Sequence, residues 1–342
     1  MKLWGKQKLW RNALPVICAA MLTLYSSCAG RQSALDPAGP QSLRLSRMWW
    51  LMFWVCTVVF ILVMAALCEA LRRARSRARP EVEPIAERKI TKVIAGALGI
   101  SAVILFILMI ADFMTGRAVY SQPQNALQIK VYGRQWWWEF QYGDPQPSRR
   151  VTTANEIHIP VGRPVMLQMT ARDVIHSLWV PNLHGKTDLM PGYQTTMWLQ
   201  ADRPGTYRGQ CAEYCGHQHA HMAFLVVAES NEQFNAWFEN QCRAAHSPID
   251  ASQQRGQQLF MTRGCVMCHQ IRGTNAGGRL APDLTHLASR QTIAAGTLQN
   301  NHDNLGNWIA DSQHVKPGNR MPPSGLNGED LQAIVSYLEN LK

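Results

Sequence analysis

The hydrophobic pattern changes period along the chain and divides it into three kinds of structure. Three apolar runs come first. Ala13 to Tyr25 is short; Met48 to Leu67 and Val93 to Ala111 are longer and carry no charge. At about 1.5 Å per residue, a helix of either longer run reaches about 30 Å, the hydrocarbon thickness of a bilayer. A transmembrane hairpin with spans 48–67 and 93–111 is therefore predicted within residues 29–116, the rest being tether. Trp49, Trp50 and Trp54 fall where an interfacial aromatic belt belongs.

From about residue 120 the period drops to two. Leu127, Ile129 and Val131 alternate with polar residues, as do Ile157, Ile159 and Val161, then Val165, Leu167 and Met169. Thr195 to Leu199, Gly205 to Gly209 and Phe224 to Val227 add short β candidates. Short strands with Gly and Pro between them predict an all-β barrel or sandwich over residues 117–230. Phe234, Trp237 and Phe238 return to helical spacing, which makes 231–249 a linker helix. A third unit, 250–342, closes with a helix start at Asn327 and an apolar stripe of Leu331, Ile334, Val335 and Leu338.

Charge sharpens the membrane reading. The net charge is +11, but much of the excess is concentrated between the two spans, in Arg72, Arg73, Arg75, Arg77, Arg79, Arg88, Lys89 and Lys92. A basic connection sets membrane orientation and gives no reason to expect nucleic acid. It places the connection in the cytoplasm and the bulk of the chain outside. Residues 1–28 agree independently: Lys2, Lys6, Lys8 and Arg11 precede an apolar core and small residues, the form of an export signal. Cys28 stands in a stretch like a lipoprotein cleavage box.

The nine cysteines are too unevenly placed for a disulfide scaffold. Cys211, Cys215, His219 and Met222 share one short stretch, and a loop around His176 offers a second imidazole. A disulfide or a zinc site is the plainer alternative. Thiolate, imidazole and thioether together suit copper best, and two cysteines on one loop can bridge two copper ions. His184, His217 and His221 are expected to be loop residues without ligand roles, and Cys242 a partly buried thiol. Further on, Cys265-Val266-Met267-Cys268-His269 is a haem c attachment signal in an exported chain. His269 is the candidate proximal ligand, and Met321, in a Pro/Gly loop, the distal one.

The stretch Cys-x-Glu-x-Cys-Gly-x-x-His-x-x-Met, with Asp173 to Ser177 and Tyr132 to Trp138, resembles the copper A site of cytochrome c oxidase subunit II over residues 45–230. Residues 250–342 resemble a small class I cytochrome c, including Ala281 to Leu284, whose Pro carbonyl orients the axial histidine in that family. The resemblance implies a two-helix hairpin, a cupredoxin-like β domain and an all-α cytochrome domain. It implies Cys211 and Cys215 bridging two coppers, His176 and His219 binding one each, and Met222 and the Glu213 carbonyl as weak ligands. The Glu213 side chain would hold magnesium at the boundary with subunit I, and Trp136 would receive electrons. One covalent haem c would sit on Cys265 and Cys268 between His269 and Met321.

The implied activity is that of cytochrome-c oxidase, a proton-translocating terminal oxidase. Electrons would pass from a soluble cytochrome c or other donor to haem c, to copper A, and to subunit I for reduction of oxygen. Subunit III and membrane lipid are further implied partners. The implied place is a bacterial plasma membrane, crossed twice, with both metal domains on the periplasmic side. A copper A-type nitric oxide reductase subunit and an exported copper-handling or redox protein remain the alternatives. Glu87 lies where the family has a proton-channel mouth, but the accompanying Trp is missing, which favours a solvated charge.

Overall fold

The computed structural model describes residues 32–76, 87–121 and 123–342. The expected export signal with Cys28, and residues 77–86 of the basic connection, lie outside the described residues. The described residues form two compact units, a smaller one within 43–121 and a larger one of 32–42 with 123–342.

The smaller unit is helical. Helices α1 (Pro40–Ser76) and α2 (Glu87–Val119) enclose the two apolar runs and extend beyond both ends of each. Phe60, Leu62, Leu98, Leu105 and Phe113 stand exposed. Leaving such side chains in water forfeits about 1.5–3 kcal/mol apiece, so surfaces like these need an apolar surrounding. Each helix is long and apolar enough to cross a membrane. The hydroxyls of Thr57, Thr91 and Thr115 donate back to carbonyls of their own helix, which is how a polar group is satisfied in lipid. Glu87 is exposed in the first turn of α2.

The larger unit holds two hydrophobic cores. The first lies between two five-stranded sheets. In chain order the strands are β1 (Leu127–Arg134), β2 (Trp137–Tyr142), β3 (Val151–Ala154), β4 (Glu156–Pro160) and β5 (Val165–Ala171). There follow β6 (His176–Trp179), β7 (Thr187–Leu189), β8 (Thr195–Leu199), β9 (Gly205–Cys211) and β10 (Ala223–Glu229). One sheet runs β3-β2-β1-β5-β8 and the other β4-β10-β9-β6-β7. Ile129, Val131 and Leu167 point inward from the first, and Ile157, Ile159 and Val226 from the second, as the period of two predicts. β2 is an addition: its Trp138, Phe140 and Tyr142 alternate into the core, but three successive tryptophans hid that alternation. Helix α3 (Asn231–Gln241) starts on a capping box of Ser230 and Gln233. It lays Phe234, Trp237 and Phe238 against Tyr142, so it is built into this core.

The second core is helical. It comprises α4 (Ala251–Thr262), the short pair β11 (Thr292–Ile293) and β12 (Leu298–Gln299), α5 (His302–Ala310), α6 (Ser312–Val315) and α7 (Gly328–Glu339). Asp250, Asn301, Asp311 and Asn327 cap α4 to α7 in turn through their side chains. The stripe on α7 packs inward as expected, with Ile334, Val335 and Leu338 buried. α4 crosses it closely at Gly256, where any Cβ would collide with the carbonyl of Ala333. The chain is thus a two-helix hairpin, a β-sandwich and an all-α domain, the fold class the sequence implied.

Candidate metal centre

The end of β9, the start of β6 and the turn before β10 bring the soft donors together. Backbone bonds close this region: Cys211 N donates to the carbonyl of Met222 (2.9 Å), and Ala212 N to that of Ser177 (2.8 Å). Between these ties the chain from Cys211 to Met222 must curl on itself. Cys211 Sγ and Cys215 Sγ lie 3.8 Å apart, well beyond the ~2.05 Å of a disulfide. His176 Nδ1 is 3.9 Å from Cys211 Sγ, and His219 Nδ1 is 3.6 Å from Cys215 Sγ. Met222 Sδ is 3.8 Å from Cys215 Sγ, and the Glu213 carbonyl is 3.2 Å from Cys211 Sγ. Cys211, Cys215, His176 and Met222 are buried. Among the described residues, His176, Cys211 and Cys215 form a group whose ligand atoms all lie within 4.8 Å of one another.

The surroundings prepare these atoms for a cation. His176 Nε2 bonds Asp173 Oδ1 at 2.9 Å, which turns Nδ1 toward the sulfurs. Asp173 is itself held by the backbone N–H of Gln135 (2.7 Å) and Val174 (2.8 Å). Burial raises the Asp173 pKa, but these bonds, led by His176, bring it below the ordinary carboxylate value. Burial also lowers the His176 pKa, and Asp173 and Cys211 more than offset that. The Cys211 pKa is drawn down, first by the thiol of Cys215. Cys215 is pushed far up, first by its contact with Cys211. One thiolate therefore forms readily, and a second requires positive charge between the sulfurs. Two soft sulfurs, two imidazoles and a thioether fit copper better than zinc.

Trp136 packs beside the loop. It is buried, and its Nε1 donates to the carbonyl of Cys215 at 2.9 Å. Gln135 Nε2 reaches the same carbonyl at 2.9 Å. Gly133, two residues before Gln135, faces the His176 ring so closely that an added Cβ would lie 2.7 Å from Cδ2. The other histidines stand apart in character. His217 and His221 are exposed, and His221 Nδ1 is engaged by Gln218 Oε1 (2.9 Å). His184 is buried and bonds the carbonyl of Gly185 (3.1 Å). Cys242 is half-buried, 3.7 Å from the carbonyl of Arg149.

In the helical domain Cys265, Cys268 and His269 share one short turn. His269 Nδ1 donates to the carbonyl of Pro282 at 2.8 Å, so Nε2 is the ring nitrogen that could ligate a metal. Burial lowers the His269 pKa and keeps the ring neutral, the state a metal needs. Arg290 is buried, and its Nε has no acceptor among the described residues. That spare donor suits an anionic group of a bound cofactor. Met321 lies in a loop shaped by Asn319 and Gln313: Asn319 Oδ1 accepts from Met321 N (2.8 Å), and Gln313 Nε2 donates to the Met321 carbonyl (2.8 Å). Lys316, at the head of that loop, carried no sequence signal. Its ammonium is buried against the copper-side loop, and that burial pulls its pKa down to about 7.

Comparison with known proteins finds likenesses to both domains. The family model for the periplasmic domain of cytochrome c oxidase subunit II matches residues 127–229, and that for cytochrome c matches 253–342. The cytochrome c oxidase subunit 2 of Alkalihalophilus pseudofirmus is 35% identical, over 98% of this chain and 99% of that one. The subunit of the same name from Bacillus subtilis is 29% identical over 70% of this chain and 69% of its own. Among solved structures, the periplasmic domain of subunit II of cytochrome oxidase from Bradyrhizobium japonicum is 30% identical. It spans 35% of this chain and 95% of that one, with a TM-score of 0.33.

Proposed function

We propose that this chain, which belongs to the cytochrome c oxidase subunit 2 family, is the electron-receiving subunit of a proton-translocating haem–copper oxidase. The family and the two apolar helices make it a membrane-anchored subunit with a fused cytochrome c domain. In the proposed order, electrons arrive from a soluble cytochrome c or similar donor at the haem-binding domain. They pass to the copper loop and leave for subunit I, where oxygen is reduced to water. The basic connection between the helices supports a periplasmic position for both metal domains in a bacterial plasma membrane. Subunit III is a further proposed partner.

The observation that carries this reading is the convergence of Cys211, Cys215, His176, His219 and Met222. In it Cys211 and Cys215 would bridge two coppers, His176 and His219 would each bind one through Nδ1, and Met222 and the Glu213 carbonyl would be the weak ligands. With copper bound, the centre supplies one-electron exchange with little change of geometry. The protein's part is to hold the ligands rigidly. Asp173 fixes the His176 ring, the buried sandwich excludes water, and Trp136 ties its indole to the backbone of Cys215. The Glu213 side chain is the proposed magnesium ligand at the subunit I boundary. Cys265 and Cys268 would carry haem c, with His269 and Met321 axial.

The test is isolation of the chain from membranes and measurement of oxygen uptake with a reduced donor. It should copurify with a haem–copper subunit I, and Cys215→Ser should abolish uptake. Recovery without such a partner, and with freely exchangeable copper, would turn the reading toward copper handling.

A further inference from the structure

The seam between the sandwich and the cytochrome domain converges on one lysine. Lys316 opens the loop that ends at Met321, yet its side chain crosses to the other domain. Nζ donates to the carbonyls of Trp136 (3.0 Å) and His221 (2.9 Å), and to that of Ala294 in its own domain (3.3 Å). In its protonated form Lys316 has three N–H donors, one for each of the three carbonyls it meets, the satisfaction a buried charge requires. The residue is only 3% exposed. Neighbouring contacts run the same way: Gln218 Nε2 donates to the Pro317 carbonyl (2.7 Å), and Ala223 N to that of Ala295 (2.9 Å).

These bonds make a continuous connection between the two candidate centres. The Cys215 carbonyl accepts from the Trp136 indole (2.9 Å), and the Trp136 carbonyl from Lys316 (3.0 Å). The Lys316 carbonyl accepts from Asn319 Nδ2 (2.8 Å), and Asn319 Oδ1 from Met321 N (2.8 Å). We propose that Lys316 is a positioning residue that locks the haem-ligand loop onto the copper loop, so that electrons cross a fixed seam rather than waiting on collisions of tethered domains. This rests on the function proposed above. One electron leaves the haem-binding domain and one arrives at the copper loop; no bond is made or broken. The seam also covers Trp136, which is 9% exposed, so a diffusing donor meets the cytochrome domain instead.

The test uses the assembled oxidase. An electron is injected into haem c from a photoexcited ruthenium dye, and its arrival at copper is timed optically. Hydrogen exchange is followed in parallel at the Ala223 and Gln291 amides, which donate across the seam. Lys316→Met should slow the transfer about tenfold or more, the scale on which losing a charge-assisted hydrogen bond moves an equilibrium. Exchange at both amides should rise, while the spectra and potentials of both centres stay at wild type. Lys316→Arg, which keeps donors, should restore most of the rate.

An unchanged rate in Lys316→Met overturns the proposal. So does a slower rate with unchanged exchange, because the residue would then act on a centre and not on docking. If Lys316→Met fails to retain copper or haem, Gln218→Met on the same seam must show the paired loss of rate and protection. Wild-type enzyme without haem-to-copper transfer would sink the functional reading, while the exchange data would still report on the seam.

Discussion

Replacing Gly133 by alanine should cripple the copper loop without touching the cytochrome. The added Cβ would lie 2.7, 3.0 and 3.2 Å from Cδ2, Cγ and Cβ of His176. Carbon atoms pack at about 3.5–4.0 Å, so the ring or β1 must give by about 0.5–1 Å. The His176 ring has no free space to move into: the residue is 0% exposed, and its far nitrogen is fixed to Asp173. Metal–ligand distances keep within about 0.2 Å of their standard values. Disturbing what orients a ligand typically costs 10–100-fold in metal affinity, and overpacking a core adds about 1–3 kcal/mol of instability. Copper titration against a competing chelator measures the first quantity, and the covalent haem absorbance of the same molecules normalises it. Gly133→Ala should bind copper at least about tenfold more weakly at full haem content. Wild-type copper affinity in that variant would refute the close-packing argument.

Other expectations follow from separate parts of the structure. Cys215→Ser should remove the copper absorption and leave the haem attached, as metal analysis with a visible spectrum would show. Met321→Ala should keep the haem but lower its potential by redox titration, because a His/Met pair raises it; an unchanged potential would require another distal ligand. His158 stacks on Trp237 (4.2 Å between rings) and bonds Glu156 and Glu229. Burial lowers its pKa, but the two carboxylates outweigh that and raise it overall. A raised histidine stabilises the fold fully below its unfolded value of about 6.5 and loses that contribution as pH rises through the folded value. The melting-temperature gap between wild type and His158→Gln should therefore be largest at acid pH and shrink above that value. A gap that widened with pH would contradict the assignment.

Much of this architecture was legible in the sequence because it is written in local periods. Uncharged runs marked α1 and α2, and alternation at Ile129, Val131, Ile157 and Ile159 marked the sandwich. Strand β2 escaped because apolar residues fill both of its faces near Trp136. Helices α5 and α6 also escaped, being too short for their pattern to stand out. The donor set was legible from residue type and spacing, since few chemistries need Cys, Cys, His and Met so close together. What surrounds those donors was not. Gly133 matters for the space it leaves, Asp173 for the ring nitrogen it holds, and Lys316 for carbonyls far away in the chain. Such roles depend on tertiary proximity, which no local pattern encodes.

The most direct test of the central claim is the copper-to-iron ratio, with a visible spectrum, of this chain produced without other oxidase subunits and matured in a periplasm. The account predicts about two coppers for each covalently bound haem iron, the copper resisting mild chelation. Haem with no copper, or with a single loosely held ion, would contradict it and leave the loop from Cys211 to Met222 as something other than an electron carrier.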